Sequence, residues 1–348
     1  MTEAPHSAKS HVARNWAAYR MRWKRRRLLW RSWRSRHQLT NLTDRTDRTP
    51  RDGVVVVMTV RNEMTRLAHF LQYYRDLGVA HFLIVDNDSD DGTGAFLAEQ
   101  ADVSLWHSAY SYRAARFGVD WTTWLQMTFC AGRWTLVVDA DELMVFAHHD
   151  TRDLPALTQF LDQQNRDVFG CLMLDLYPRD AVGVQRFEPG GNPLDVLNWF
   201  DPGPYRARRQ HPVQNLWVQG GARERVFFGD DPDRSPTLNK IPLVKWRRSF
   251  AYVNSSHSAL PPRLNHGYDG PGDPAPCGVL LHTKFLPEVV DKAREDKIRG
   301  QHFHTPKDFV PYYDSVIKGP QMHGAHSVRY EGWRQLEDLG LLSSGGWT

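Results

Sequence analysis

The sequence predicts an α/β protein built on a mostly parallel, Rossmann-like central sheet with helices on both faces, preceded by a basic N-terminal helix. Three observations predict it. Val54–Val60 is a near-continuous apolar run of strand length, the pattern of a strand buried on both faces. Runs of this kind alternate with segments of helical period as far as residue 138. The strands end in polar or acidic residues, where open α/β sheets bind their ligands.

In chain order, residues 1–13 read as disordered and residues 14–36 as a helix. Trp16, Tyr19, Trp23, Trp30 and Trp33 recur at steps of three, four and seven, hence on one face, and Arg22, Lys24, Arg25, Arg27, Arg31 and Arg34 cover much of the rest. Residues 38–52 are polar and read as a linker. Val54–Val60 is the first strand of the body. Residues 63–77 follow as a helix with Met64, Leu67, Leu71 and Tyr74 on one face and Gly78 as its stop. His81–Val85 is the second strand, and the turn Asp86-Asn87-Asp88-Ser89-Asp90-Asp91-Gly92-Thr93 opens a short helix to about Gln100. Val103–His107 is a strand, Phe117–Ala131 a helix closed by Gly132, and Trp134–Val138 a fourth strand. Further on, a helix near 154–164, a strand near 168–175 and helices over 287–302 and 306–317 are legible, the last with Thr305 as cap and Pro306 in its first turn.

Composition bounds the function. The chain has 348 residues, 41% hydrophobic and 24% charged, enough for a sizeable core. The net charge of +4 hides an asymmetry: residues 1–52 hold 14 Lys/Arg against 4 Asp/Glu, the remainder 30 against 36. A basic arm on a mildly acidic body suits an anionic surface, so the expectation for 14–36 is peripheral membrane contact or docking onto its own domain or a partner, and not nucleic acid. Cys130, Cys171 and Cys277 are odd in number, far apart and without a CxxC, which excludes a disulfide framework and a cysteine zinc site. No run approaches the ~20 apolar residues of a membrane span, and no secretory signal is read, so the expected location is the cytoplasm, including the inner face of the cell membrane.

The strongest chemical signal is Asp139-Ala140-Asp141-Glu142 directly after an apolar strand. Three carboxylates in four residues repel one another unless a cation is present, and Mg²⁺ or Mn²⁺ is held by one or two carboxylates together with substrate phosphates. Asp86, at the end of the second strand, is placed to accept hydrogen bonds from a base or ribose, whereas Asp91 and Thr93 read as turn and cap residues. Arg61, Asn62 and Glu63 end the first strand, as helix caps or as nucleotide-pocket residues.

These three segments resemble the family 2 glycosyltransferases, in a bacterial branch with a VRNE opening and a VVDADELMVF-like metal motif. The resemblance extends over roughly residues 53–315 through Gly220-Gly221-Ala222-Arg223-Glu224-Arg225-Val226-Phe227, Leu238 to Trp246, Ser255-Ser256-His257 and Leu281-His282-Thr283-Lys284-Phe285. It implies a GT-A fold, a nucleotide-sugar donor, a glycan or glycolipid acceptor of cell-surface polysaccharide or glycolipid synthesis, and inverting transfer. Asp86 would then hold the nucleotide. Asp139 and Asp141 would serve metal and diphosphate, with Asp141 catalytic and His282 as the distal metal ligand ahead of a weaker His257. Arg223, Arg225 and Lys284 would neutralise diphosphate. Glu224 is the first choice of general base, with Asp201 and Asp175 as alternatives; its flanking arginines lower its basicity. The His302/His304 and His323/His326 pairs read as surface residues. The implied organisation is an arm and linker over 1–52, a GT-A domain over 53–320 (nucleotide-sugar-binding half 53–147, acceptor-side half 148–286, C-terminal helices 287–320) and a tail over 321–348.

Two other readings compete. A nucleotidyltransferase acting on sugar phosphates shares the sheet and the metal but normally carries a Gly-rich loop after the first strand, which Val60-Arg61-Asn62-Glu63 lacks. A membrane- or nucleic-acid-binding module built on the arm leaves the acidic cluster without a purpose. A Walker-type ATPase is excluded by the absence of GxxxxGK[ST].

Overall fold

The computed structural model describes residues 6–300 and 309–348. Its centre is a nine-stranded sheet of β1 (Thr40–Thr43), β2 (Val54–Val60), β3 (Val79–Asp86), β4 (Val103–His107), β5 (Trp134–Leu136), β6 (Glu142–Val145), β7 (Val168–Asp175), β8 (Asn239–Lys245) and β9 (Gly278–His282). In space the order is β1-β4-β3-β2-β5-β8-β7-β9-β6. The strands β4, β3, β2 and β5 pair in parallel. β8 runs antiparallel to both β5 and β7, and β9 runs parallel to β7. Six strands therefore point the same way, and their carboxyl ends share one edge. Only β1, β6 and β8 run against them.

The uninterrupted apolar run of β2 has the two-faced burial it predicts. Val54, Val56, Met58 and Val60 pack with Leu67, Phe70, Leu71 and Tyr74 of α2 (Met64–Asp76). Val55 and Val57 pack on the opposite face with Val119, Trp121 and Leu125 of α4 (Val119–Phe129), which follows α3 (Thr93–Glu99) in the chain. Period two sends alternate residues to opposite faces, so a strand covered on both sides has no polar position to spare. α5 (Leu154–Gln163) starts where the Asp153 carboxylate accepts from Ala156 N at 2.9 Å, with Pro155 in the first turn. All three cysteines are free and buried.

Four expectations change. The disorder read over 1–13 falls partly on residues 1–5, outside the described residues; from His6 the chain is already in α1 (His6–Ser35). The linker read over 38–52 contains β1, whose polar residues add an antiparallel edge strand to β4. An edge needs only backbone pairing and little apolar surface, which is why no hydrophobic signal announces it. The carboxyl-terminal helices are α7 (Val289–Arg299) and α8 (Val310–Ile317), after α6 (Gly221–Phe227); the Thr305 cap, with His302 and His304, lies outside the described residues. The tail read over 321–348 is part of the core. It forms α9 (Trp333–Asp338) and buries Leu336, Leu341 and Leu342. Trp347 stacks on Phe160 at 5.5 Å between ring centroids, and Arg152 lies 4.9 Å over its indole. Trp347→Ala is expected to cost about 3 kcal/mol of unfolding free energy by urea titration, the range for removing a buried tryptophan.

Candidate active site

The shared strand edge explains how residues far apart in sequence meet. On β9, His282 lies opposite Asp175 of β7 on one side and Glu142 of β6 on the other. Asp141 immediately precedes β6 and is pinned by Thr283, whose backbone N–H (2.7 Å) and hydroxyl (3.0 Å) both donate to its carbonyl. Asp141 Oδ2 stands 3.2 Å from His282 Nε2, and His282 Nδ1 stands 2.6 Å from Asp175 Oδ1. Arg223, buried in α6, pairs with that same Asp175 carboxylate.

This line of groups has one electrostatic requirement. His282 Nδ1 is within reach of Asp175 Oδ1 and, at 3.0 Å, of Arg223 Nη2; where its Nδ1–H is donated to Asp175, the Nε2 lone pair faces a carboxylate oxygen. The contact is attractive only with a cation between them, a proton or a metal ion. Burial alone would lower the His282 pKa, but Asp141 and Asp175 raise it. Burial alone would raise Asp141, but His282, then Arg66 and Lys284, hold it well below the usual carboxylate range. A divalent ion also fits. Two donors on neighbouring positions of one ion with bonds of about 2.1 Å stand about 3 Å apart. A histidine ligand backed by a carboxylate is the usual outer-shell arrangement.

The expected three-ligand set of Asp139, Asp141 and His282 is not what the structure assembles. Among the described residues no group of three His, Cys, Asp or Glu side chains is gathered to hold a metal. Asp139 is about half exposed and turns to Lys240 Nζ at 3.1 Å, while the buried Glu142 lies 2.9 Å from the same ammonium. Glu142 also accepts from Asp139 N at 3.1 Å. The cluster is thus divided: Asp141 goes to His282, and Asp139 and Glu142 go to Lys240. Lys240 was missed as a site residue, although a lysine inside the apolar stretch Ile241–Val244 and its flanks is itself a signal, since a buried ammonium requires carboxylate partners.

A cleft of about 220 Å³ opens in front of Asp141. Its lining includes Thr59 and Asn87, and neither Thr59 Oγ1 nor Asn87 Oδ1, both buried, has a hydrogen-bond partner among the described residues. Asn87 is held in place by its amide, which donates to Ser108 O (2.7 Å) and Tyr110 O (3.0 Å), so the oxygen is left for a ligand donor. Arg61 lines the cleft and donates to Asn87 O at 2.8 Å. Asn62, at φ 52°, lines it too; its side-chain oxygen accepts from Asp90 N and its N–H donates to Ser89 Oγ, each at 3.0 Å. Asp86 does not line the cleft. Its carboxylate is buried and accepts from the hydroxyl (2.5 Å) and N–H (3.2 Å) of Ser89. Asp86 therefore shapes the loop, and its neighbour Asn87 lines the cleft where the sequence placed Asp86.

The far wall is α7, whose Lys292, Glu295, Asp296 and Arg299 face the cleft at helical spacing. Lys292 pairs with Glu63 at 2.9 Å, and Arg66 does so at 3.1 Å. A second cavity of about 180 Å³ shares Asp139, His282 and Lys284 with the first and is walled by Arg223, Phe228 and Tyr312. Lys284 stands 5.4 Å from the Tyr312 ring centroid.

Glu224 and Arg225 line neither cavity, which corrects both expectations. Glu224 is paired with Arg206 at 2.5 Å and accepts from Ser235 Oγ at 2.8 Å. Arg225 is spent on Asp201 at 2.7 Å, so Asp201 is likewise engaged. Of the charged residues on the short helix α6 only Arg223 is buried and lines a cavity, a division that a run of adjacent charged residues does not reveal. His323 is half-buried, edge-on against Trp199, and His326 is exposed.

His257 lines the second cavity, but its Nδ1 is bound to Asn239 O at 2.5 Å and Asn239 Nδ2 returns a bond to His257 O at 3.0 Å. Burial, helped by Lys240, pushes its pKa down to about 3 from the ordinary 6.5. A base whose folded pKa is depressed stabilises the fold above its unfolded pKa, and that stability is lost as pH falls from about 6.5 towards 3. Unfolding free energy is expected to fall by about 1.4 kcal/mol per pH unit over that window from this group. Urea titrations at pH 7 and pH 5 check it, with a shallower slope expected for His257→Gln.

No family model and no curated protein sequence matches the chain. Among solved structures, one similar chain is a 4-diphosphocytidyl-2C-methyl-D-erythritol synthase, with 17% identity and a TM-score of 0.25, covering 39% of this chain and 64% of that one. Another is the mannosyltransferase PcManGT from Pyrobaculum calidifontis, in complex with GDP-Man and Mn²⁺, with 14% identity and a TM-score of 0.31, covering 91% of this chain and 80% of that one.

Proposed function

We propose that the protein is a metal-dependent glycosyltransferase of GT-A type that uses a nucleoside-diphosphate sugar. The observation that carries this reading is the contact of Asp141 with His282, backed by Asp175, at the mouth of a cleft on the carboxyl edge of the sheet. Thr59 Oγ1 and Asn87 Oδ1 offer the nucleoside two unsatisfied polar atoms in the same cleft. The family 2 resemblance of the VRNE, DADE and LHTK segments supports the same reading and favours inversion.

Asp141 and His282 would hold Mn²⁺ or Mg²⁺, which supplies Lewis-acid stabilisation of the departing diphosphate. The remaining steps belong to side chains. Lys284, reaching both cavities, and Arg299, from α7, neutralise diphosphate oxygens in the cleft. The acceptor occupies the second cavity, with Tyr312 and Phe228 as a platform for a sugar ring. Its hydroxyl oxygen forms the new bond to the anomeric carbon as the bond to the diphosphate oxygen breaks. Asp139, common to both cavities, is placed to receive the hydroxyl proton, the role first given to Glu224. Lys240 holds Asp139 in position.

A panel of nucleotide sugars tests the reading. Mn²⁺ or Mg²⁺ is expected to support release of nucleoside diphosphate from at least one donor, and chelator to abolish it. Release of pyrophosphate from a nucleoside triphosphate and a sugar phosphate, with no donor turned over, would replace the reading with nucleotidyl transfer.

A further inference from the structure

The donor cleft makes no use of the outer face of α1. The helix is docked rather than free. Met21 and Leu28 are buried with Ala251 and Leu260, and Ser32 and Ser35 are buried beside them in the helix. Arg31 pairs with Asp120 of α4 at 3.1 Å and donates to Ala114 O at 3.0 Å. These contacts fix the rotation of the helix about its axis. Trp16, Tyr19, Trp23, Trp30 and Trp33 nevertheless remain 60%, 49%, 53%, 54% and 45% exposed.

At about 100° per residue, this aromatic stripe lies roughly opposite Met21, Leu28, Ser32 and Ser35, and runs for about 25 Å. Arg22, Arg26, Arg27 and Arg34 are exposed around it. The guanidinium groups of Arg26, Arg34 and Arg36 lie 5.5, 4.9 and 3.7 Å from the rings of Trp23, Trp30 and Trp33. No Asp or Glu occurs from Asn15 to Arg36. A helix selected for packing alone does not bury two serines and expose five large aromatics. A contiguous apolar stripe of this size marks a contact surface.

The charge and the shape select the partner. A surface without carboxylates calls for an anionic one. A long, straight, shallow stripe fits an extended surface and not a pocket. Indole rings favour the headgroup level of a bilayer, and arginines beside them reach lipid phosphates. A second copy of the chain would bring two equally basic helices together and be repelled. No helix among the described residues is long and apolar enough to cross a membrane, so contact by α1 is peripheral.

We infer that α1 seats the protein on an anionic lipid bilayer, with the Trp16–Trp33 stripe at headgroup depth and the flanking arginines on lipid phosphates. The inference does not rest on the sugar-transfer reading. It does place the cleft: Tyr112, which lines that cleft, lies two residues before Ala114, and Ala114 and Asp120 hold α1, so the cleft is tied to the lipid-facing element.

Flotation of the full chain with phosphatidylcholine vesicles, with and without phosphatidylglycerol, tests it. Binding is expected to the anionic vesicles, to fall with added salt, and to drop on the order of 100-fold for the quadruple variant Arg22→Gln/Arg26→Gln/Arg27→Gln/Arg34→Gln. Trp23→Ser/Trp30→Ser is expected to weaken binding at least about tenfold. Both variants should keep the far-ultraviolet circular dichroism of the parent and its donor turnover in the absence of vesicles. Vesicle binding that is absent, or equal in parent and variants, overturns the inference. So does a stripe-dependent dimer by light scattering without vesicle binding, or retention by DNA in preference to vesicles.

Discussion

Asp141→Asn is expected to lower donor turnover on the order of 10³-fold while leaving the protein folded. The substitution keeps the shape of the side chain and removes its charge. The backbone contacts of Asp141 are unaffected, because Thr283 bonds the carbonyl and not the carboxylate. A divalent ion held by Asp141 and His282 would then lose its anionic ligand, since an amide does not replace a carboxylate for a hard divalent ion. Single-turnover release of nucleoside diphosphate measures the effect. His282→Ala should produce a loss of similar direction, partly recovered by raising Mn²⁺. Asp175→Asn is expected to act through His282 by releasing its Nδ1–H, and to shift the metal dependence more than the maximal rate. A loss under tenfold for Asp141→Asn at saturating donor would remove Asp141 from the metal role.

Lys240→Met is expected to cost about 3–5 kcal/mol of stability, the largest single effect outside the apolar core. The ammonium is 3% exposed and is the common partner of Asp139 and Glu142. Removing it leaves Glu142 buried beside two other carboxylates. Burial already pushes Glu142 up to about 7 against the opposing pull of Lys240. An acid with a raised folded pKa contributes stability that is present below its usual 4.5 and is lost as pH rises through about 7. The penalty of Lys240→Met should therefore be larger at pH 8 than at pH 5. Adding Glu142→Gln should return part of the loss at pH 8, since the uncompensated charge is then gone. Urea titration of the two variants and the parent at both pH values checks the sign.

What was legible beforehand follows physical lines. The strands β2, β3, β4 and β7 are read within one or two residues, because burial on both faces makes them predominantly apolar over strand length. The helices α2, α4 and α5 are read from their periods and stops. The edge strand β1 was hidden because it needs only backbone pairing, and the packed carboxyl-terminal segment because Trp333, Leu341 and Trp347 are too widely spaced to form a periodic pattern. At the site, Asp139, Asp141 and His282 line one cleft, since all three end or follow strands of one edge. Their division is not readable: it depends on β8 inserting Lys240 between β5 and β7, a pairing across some hundred residues. The same limit explains Glu224, whose charge is spent on Arg206 of a separate hairpin.

Calorimetric titration of a nucleoside diphosphate panel into the protein, with and without Mn²⁺, tests the central claim most directly. At least one diphosphate is predicted to bind with Mn²⁺, and to bind at least about tenfold more weakly without it or in Asp141→Asn, a difference of about 1.4 kcal/mol or more. Binding of no diphosphate, or binding indifferent to both Mn²⁺ and Asp141, would contradict it.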